Sequence, residues 1–181
     1  MINISKSKFN IFIIGDSLVG KTSIMKVFKD LEFNPNELPS IGLDSFMETI
    51  TFNNLKYKFK FFDISGREKY KSIAFPKFKL ADGFIYIFSI DNKESLNHID
   101  YWIHLVDDLV ILKKMKILLG NKIDIDKREI TNEKAVNFAK ERKMNYYEVS
   151  AKTGFKIKES IINFCKEIYE ANKQFENKSE A

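Results

Sequence analysis

The chain has 181 residues, a length typical of a single domain with one sizeable buried core. Hydrophobic residues make up 44% of it and charged residues 30%, a balance that excludes an intrinsically disordered chain. The net charge of +5 comes mostly from lysines interleaved with acids, which favours a solvated surface and argues against nucleic-acid binding.

The first predicted element is a short apolar strand at residues 9–14, followed by a glycine-bounded loop at 15–22 and a helix at 23–29. Glycines let such a loop turn its backbone N–H groups toward phosphate oxygens, and the helix start adds further donors. Lys21 can then reach the β- and γ-phosphates, and the Thr22 hydroxyl can bind Mg²⁺. The residues predicted to surround the phosphates are Gly15, Asp16, Ser17, Val19, Gly20, Lys21, Thr22 and Ser23. The alternative is an ordinary strand-to-helix turn that carries a surface lysine.

The next segment predicts an exposed loop and then a hairpin. Pro35 and Pro39 exclude a continuous helix over residues 31–42. Two strand-like runs follow at 43–52 and 55–62, joined by two asparagines that tolerate a left-handed turn. In the second run aromatic residues alternate with lysines, which is the period of a half-buried strand.

The remaining elements alternate between strands and helices. A continuous apolar run predicts a buried strand at 83–90, the next buried strand is predicted at 115–119, and a last strand at 145–149. Capping residues and helical spacing predict one helix after residues 91–95 and another starting at 131–134. A last helix is predicted from about 157 to 174, which leaves a polar, frayed tail at 175–181.

Apolar strands that alternate with helices predict an α/β fold, a mostly parallel sheet with helices on both faces. In such folds ligands bind at the carboxyl ends of the strands. Four candidate motifs each follow a predicted strand directly, at residues 15–22, 63–66, 121–124 and 150–152. We therefore expect these motifs to converge on one edge of the sheet.

The second motif, at residues 63–66, predicts a metal and phosphate contact. A carboxylate such as Asp63 can hold a Mg²⁺-bound water, and the N–H of Gly66 can reach the γ-phosphate. The alternative is an acid that ends a strand and enters a turn.

The third and fourth motifs predict a guanine site. A carboxylate at Asp124 can accept two hydrogen bonds from the N1–H and exocyclic amine of guanine, a pair that adenine cannot supply. The stem of Lys122 can lie over the base, and Asn121 can brace the loop. The run Ser150, Ala151 and Lys152 closes the base site and offers a backbone N–H to the guanine carbonyl. On its own, the 121–124 run would more often be a surface turn.

With these motifs in this order and at this spacing, the sequence resembles the Ras-like small GTPases, and the Rab branch most closely. The motifs that carry the resemblance lie at residues 15–22, 40–44, 63–68, 121–124 and 150–152. It implies a P-loop NTPase fold of the Ras-like G-domain type over residues 8–174, with residues 1–7 as an N-terminal extension and a six-stranded sheet with one antiparallel edge strand. It also implies GTP or GDP and Mg²⁺ as cofactors, an exchange factor, a GTPase-activating protein and effectors as partners, and a setting in membrane traffic.

The resemblance assigns roles to further residues by position. Phe33 would pack against the guanine ring, and Ser40 stands where the family usually has the threonine that binds Mg²⁺. Together with Lys21 and Gly66, Ser40 and Arg67 are the residues expected at the reacting phosphate. Arg67 replaces the glutamine that orients the attacking water, and a guanidinium cannot accept a hydrogen bond, so hydrolysis is expected to be slow.

Two other departures concern partners. Rab proteins typically carry Phe, Trp and Tyr at three positions that effectors read, where this chain has Ser45, Phe62 and Lys77. The chain also has no C-terminal cysteine for a prenyl anchor, so any peripheral membrane association is expected to use other means. Two alternatives stay open: a pseudo-GTPase that holds nucleotide without cycling, and one half of a larger scaffold.

Cysteine use and the chain start predict a cytoplasmic protein. The single cysteine, Cys165, excludes an internal disulfide framework and lies in the apolar pattern of the last helix, which predicts a core position. The first residues lack the apolar stretch of a signal peptide, and no run is long enough to span a membrane.

Overall fold

The structure, a computed structural model, describes residues 8–38, 42–64, 75–110 and 114–179, with side chains as far as residue 174. Three residues with predicted roles, Ser40, Gly66 and Arg67, lie outside the described residues. The described residues form six strands: β1 Lys8–Ile14, β2 Leu43–Phe52, β3 Leu55–Ile64, β4 Gly83–Ser89, β5 Met115–Asn121 and β6 Asn145–Glu148. The helices within the same residues are α1 Lys21–Phe28, α2 Lys93–Leu109, α3 Asn132–Glu141 and α4 Ile157–Ser179, with a 3-10 helix at Phe75–Leu80.

The six strands form one sheet in the order β2-β3-β1-β4-β5-β6. The edge strand β2 runs antiparallel to β3, and all the other pairs are parallel. This confirms the predicted six-stranded sheet with one antiparallel edge strand. Because the parallel strands end at the same edge, the carboxyl end of β3 and the loops after β1, β5 and β6 meet there.

Each face of the sheet has its own apolar core, which confirms the predicted helices on both faces. On one face, α1 and α4 pack Ile24, Phe164 and Cys165 against the strands, and all three side chains are fully buried. On the other face, α2, α3 and the 3-10 helix contribute Trp102, Ala135 and Phe78. Side chains alternate along each strand and so feed both cores.

Helix caps lie where the sequence predicted them. The Asn92 side chain accepts a hydrogen bond from the backbone N–H of Ser95 at 3.1 Å and caps α2. The Thr131 hydroxyl accepts one from the backbone N–H of Lys134 at 3.2 Å and caps α3. Each side chain satisfies a backbone donor that has no partner within its own helix.

Some predicted boundaries were wrong. The strand β3 continues to Ile64, so Asp63 lies within it, paired with Asp44 on one side and Ile13 on the other. Asn121 is likewise the last residue of β5 rather than the start of a loop. Backbone pairing to a neighbouring strand includes a polar residue in each case, Asp63 in β3 and Asn121 in β5, which a hydrophobicity pattern cannot register.

Two further segments differ from the prediction. The last helix does not end at residue 174 but runs to Ser179, since residues 175–179 contain neither glycine nor proline to break it. No element is predicted between residues 67 and 82, and the structure has a 3-10 helix there, at Phe75–Leu80, around the buried ring of Phe78. Within the described part of the chain, no helix is both long and apolar enough to cross a membrane.

Packing of α4 on the sheet predicts a large stability loss for Phe164→Ala. The Phe164 ring is fully buried, and a Cβ built on Gly83 of β4 would lie 2.7 Å from its Cζ atom. Removing the ring leaves a cavity, so we expect the free energy of unfolding in urea to fall by about 3–5 kcal/mol. The matched control Phe155→Ala, at a ring that is 47% exposed, should change it by less than about 0.5 kcal/mol. Equal losses in the two variants would contradict this account of the core.

Candidate functional site

A cavity of about 500 Å³ opens at the carboxyl edge of the sheet, a volume within the usual range for small-molecule sites. Four chain segments line it: the loop after β1 with the start of α1, the loop after α1, the loop after β5 and the loop after β6. Its lining residues are Ser17, Leu18, Gly20, Lys21, Thr22, Ser23, Phe33, Asn34, Pro35, Glu37, Leu38, Asn121, Lys122, Asp124, Ile125, Ala151 and Lys152. The first, third and fourth sequence motifs therefore converge as expected. From the second motif, Asp63 contacts the lining residue Thr22, and residues 65 and 66 lie outside the described residues.

The loop after β1 is shaped by unusual backbone angles. Gly20 has a φ of 96° and precedes α1, and a Cβ at this position would lie 2.2 Å from the Asn121 Nδ2 atom. Leu18 has a φ of 67°, which is costly for a residue with a branched side chain. Its side chain is 70% exposed at the rim of the cavity.

Lys21 is a buried cation at the start of α1. Its side chain is only 5% exposed, and its Nζ donates to the backbone carbonyl of Asp16 at 2.7 Å. Burial lowers the pKa of Lys21 to about 8, although the carboxylates of Asp63 and Asp16 act in the opposite direction. A phosphate anion beside this ammonium would offset the desolvation that destabilises its charged form.

Thr22 and Asp63 form a pair next to Lys21. The Thr22 hydroxyl donates to Oδ2 of Asp63 at 2.5 Å. The other oxygen, Oδ1, is buried and has no hydrogen-bond partner among the described residues. Burial raises the pKa of Asp63, and the hydrogen bond from Thr22 partly opposes this. A hydroxyl beside a carboxylate with a free oxygen is the donor set that a hard cation requires, so these residues fit Mg²⁺.

The described residues contain no cluster of three or more histidine, cysteine, aspartate or glutamate side chains that could hold a metal alone. A cation at Thr22 and Asp63 would therefore take its other ligands from a bound phosphate and from water, as Mg²⁺ commonly does.

Asp124 is positioned by the loop after β6. Its Oδ1 accepts a hydrogen bond from the Ser150 hydroxyl at 2.6 Å, and its Oδ2 lies 3.8 Å from Nζ of Lys152. Beside it, Lys122 has a φ of 70° and an Nζ 3.4 Å from Oδ2 of Asp91. The carboxylate is thus held at the cavity wall with its orientation fixed by a neighbouring loop.

Asn121 connects three of the loops from a buried position. Its Nδ2 donates to the backbone carbonyl of Val19 at 2.8 Å, and its Oδ1 accepts from the backbone N–H of Ala151 at 3.1 Å. The side chain is only 1% exposed. Both ends of the amide are therefore satisfied, and the phosphate-side loop is tied to the loops that carry Asp124 and Lys152.

The loop after α1 forms the remaining wall. Phe33 lines the cavity and packs partly against the core on the α1 face. An ion pair of 2.6 Å between Lys26 and Glu37 holds this loop against α1.

Of the described residues that are predicted to bind the nucleotide, four do not line the cavity. Val19 and Ser150 support it through the hydrogen bonds described above. Gly15 packs against β4, where a Cβ would lie 2.1 Å from the carbonyl oxygen of Ile87. The carboxylate of Asp16 is directed at α2, and only the backbone of this residue contributes to the loop.

The contact between Asp16 and α2 could not be predicted from the sequence. One carboxylate oxygen accepts from the Trp102 indole N–H at 2.9 Å, and the other lies 2.6 Å from Nδ1 of His98. The four-residue spacing of His98 and Trp102 places both on one face of a helix, but nothing in the pattern identifies their partner. His98 and Trp102 therefore hold the loop after β1 against α2.

Comparison with known proteins gives a consistent result. The family model described as "Ras family" matches residues 10–170. Proteins named Ras-related protein Rab-15 from Rattus norvegicus and Homo sapiens are each 35% identical over 167 residues, covering 92% of this chain and 79% of theirs. Ras-related protein Rab-1 of Theileria annulata is 31% identical over 169 residues, covering 92% of this chain and 77% of its own.

The bridging amide predicts that Asn121→Ala damages both the fold and the site. The substitution removes the side-chain partner of the Val19 carbonyl and of the Ala151 N–H. We therefore expect the free energy of unfolding in urea to fall by about 2–4 kcal/mol. Affinity for labelled GDP should fall as well, because three loops lose their common support. Asn137→Ala, at an exposed position on α3, is the control and should leave both quantities unchanged. Unaltered GDP affinity in Asn121→Ala would show that the loops do not depend on this amide.

Proposed function

The chain belongs to the Ras family of small GTPases, and from this premise we propose that it is a Rab-like switch that binds GDP or GTP with Mg²⁺ and hydrolyses GTP slowly. One observation carries the proposal. A buried lysine and a threonine hydroxyl at the start of α1 and a fixed carboxylate in the loop after β5 all line one cavity of nucleotide size. A second carboxylate, from β3, accepts a hydrogen bond from that hydroxyl.

Phosphate binding is assigned to Lys21 and the loop before it. The backbone N–H groups at the start of α1 have no intrahelical partners, and the helix dipole adds positive potential there. With the buried ammonium of Lys21, they form a concentrated positive site. In GTP hydrolysis these groups would stabilise the negative charge on the phosphates.

Mg²⁺ is assigned to Thr22 and Asp63, directly for the hydroxyl and through water for the carboxylate. The unpartnered Oδ1 of Asp63 supports this assignment. When bound, the metal would neutralise charge on the β- and γ-phosphates. Ser40 and Gly66 complete the proposed set on sequence grounds alone, as a further metal hydroxyl and a γ-phosphate donor.

Guanine selection is assigned to Asp124. The Ser150 hydroxyl donates a hydrogen bond to Oδ1 of Asp124 and so orients the carboxylate group. The remaining lone pairs of the carboxylate can then accept hydrogen bonds from the base. Lys122 and Phe33, which also line the cavity, would flank the ring. An ATP-specific enzyme is disfavoured, because adenine lacks the two donors that a carboxylate accepts from guanine.

Slow hydrolysis follows from Arg67 at the water-orienting position. A glutamine can accept a hydrogen from the attacking water and donate toward the developing charge, whereas a guanidinium only donates. The same substitution favours a second candidate function, a pseudo-GTPase that retains nucleotide as a structural ligand. Rates of hydrolysis separate the two.

A role in membrane traffic, at the cytosolic face of internal membranes, is proposed from similarity to proteins named as Rab proteins. An exchange factor, a GTPase-activating protein and effectors would be its partners.

Base recognition is tested by Asp124→Asn. We expect GTP affinity to fall and preference to shift toward xanthine nucleotides, because an amide can donate to the oxygen that replaces the guanine amine. Competition of GTP and XTP against labelled GDP measures the shift. Asp126→Asn, at an exposed position in the same loop, is the matched control and should behave as the wild type does. If GTP and XTP compete with Asp124→Asn as they do with the wild type, Asp124 does not read the base.

Hydrolysis is tested by Arg67→Gln under single-turnover conditions with saturating Mg²⁺. We expect the variant to be about ten- to a hundredfold faster, which corresponds to about 1.4–2.7 kcal/mol of activation free energy. Lys140→Gln, which removes an exposed positive charge on α3, should leave the rate unchanged. A wild-type rate at or above that of Arg67→Gln would identify the arginine as a catalytic group, and no turnover in either protein would favour the pseudo-GTPase.

A further inference from the structure

A row of lysines occupies one side of the sheet at the end opposite the cavity. Lys56, Lys58 and Lys60 follow one another at alternate positions of β3, and Lys8 of β1 lies beside Lys58 in the parallel register. Alternation places all four on the side of Phe62 and Ile64, the side covered farther along by α2. We call these four residues the lysine face.

The lysine face is open along its length. From residue 55 to residue 60 of β3 only one side of the strand is fully buried, whereas every residue from Phe61 to Ile64 is buried. Lys8, Lys56 and Lys58 are exposed and Lys60 is partly exposed. Among the described residues, no ion pair involves any of the four.

The surroundings of the lysine face do not balance its charge. On β1, β2 and β3 the side that carries these lysines has no acidic residue, and β2 presents Ser45, Met47, Thr49 and Thr51 there. The nearest acid by register is Asp82, which is buried and accepts the backbone N–H of Asn10 at 2.8 Å. The neighbouring 3-10 helix adds two more exposed lysines, Lys77 and Lys79.

Like charges at neighbouring positions of a sheet repel one another. Lys8 and Lys58 lie on adjacent parallel strands, which are about 4.8 Å apart. Lys58 has a further lysine on each side, about 7 Å along its own strand. This repulsion opposes folding, and carboxylates supplied from outside would relieve it.

We propose that the lysine face binds an extended acidic segment of a partner protein. Alternate side chains of an extended peptide are spaced by about 7 Å, the same interval that separates Lys56, Lys58 and Lys60. Carboxylates at every second position could therefore meet the three lysines in register. Met47, beside Lys60 on the edge strand and 46% exposed, offers an adjacent apolar contact.

A membrane surface is the competing occupant. Anionic lipids attract clustered lysines without requiring any spacing. The regular row along one strand, at intervals of about 7 Å, matches the side-chain repeat of an extended peptide. This feature favours a protein segment.

The test uses the full chain saturated with GDP and Mg²⁺, so that Lys21 is occupied. The probe is a labelled peptide in which glutamate alternates with serine, and its binding is measured by fluorescence anisotropy at low salt. A labelled peptide in which glutamine alternates with serine is the uncharged reference. The face variant is Lys56→Glu/Lys58→Glu/Lys60→Glu. The control, Lys134→Glu/Lys140→Glu/Lys166→Glu, makes the same change in net charge at exposed sites on α3 and α4.

We expect the face variant to bind the acidic peptide at least about tenfold more weakly than the wild type, with the control within about twofold of it. Equal losses in the two variants would mean that only net charge matters and would overturn the proposal. Absence of peptide binding by the wild type would also overturn it, as would binding only to phosphatidylserine vesicles. Binding of labelled GDP shows whether each variant is folded. If the triple variant does not bind GDP, the single variant Lys58→Glu should still weaken peptide binding about threefold.

Discussion

The buried side chain of Asn121 is the constraint on which the site depends. A single planar group donates to the Val19 carbonyl and accepts from the Ala151 N–H, so it needs one donor end and one acceptor end. Neither a carboxylate nor an apolar side chain of the same size supplies both. The amide also requires a glycine at residue 20, because a Cβ there would lie 2.2 Å from Nδ2 of Asn121. The close contact between residues 20 and 121 therefore accounts both for Gly20 in the first motif and for Asn121 in the third.

The site holds charge that the protein alone does not balance. Lys21 is buried with a lowered pKa, and Asp63 is buried with a raised pKa and one unpartnered oxygen. Both directions arise from desolvation, so both ionised forms are destabilised in the protein by itself. An anion beside Lys21 would stabilise its ammonium form, and a cation beside Asp63 would stabilise its carboxylate form. A ligand that binds only the folded state also stabilises that state by mass action. Ligand affinity and fold stability are accordingly coupled through the same two side chains.

Much of this architecture could be predicted from local pattern, because strand and helix periods, caps and glycine-bounded turns are encoded within a few residues. The convergence of the loops followed from one topological rule, that ligands bind at the carboxyl ends of parallel strands. Contacts between distant residues could not be predicted in this way. Asp16 was assigned to the ligand, yet its carboxylate contacts Trp102, which is 86 residues away in the sequence. Strand ends were also missed at Asp63 and Asn121, where backbone pairing rather than side-chain hydrophobicity sets the boundary.

The strand β3 carries both the lysine face and Asp63, which raises the question of whether one affects the other. Its backbone is paired in register with β1 from Lys58 to Asp63 and with β2 from Leu55 to Ile64. A slip of one residue would move every side chain of β3 to the opposite face and expose Phe59 and Phe61 of the core. Such a slip is therefore too costly to transmit a signal along the strand. Without such a slip the lysines of β3 stay on the same side of the sheet whichever nucleotide is bound, so the side they occupy cannot by itself distinguish the two nucleotide states.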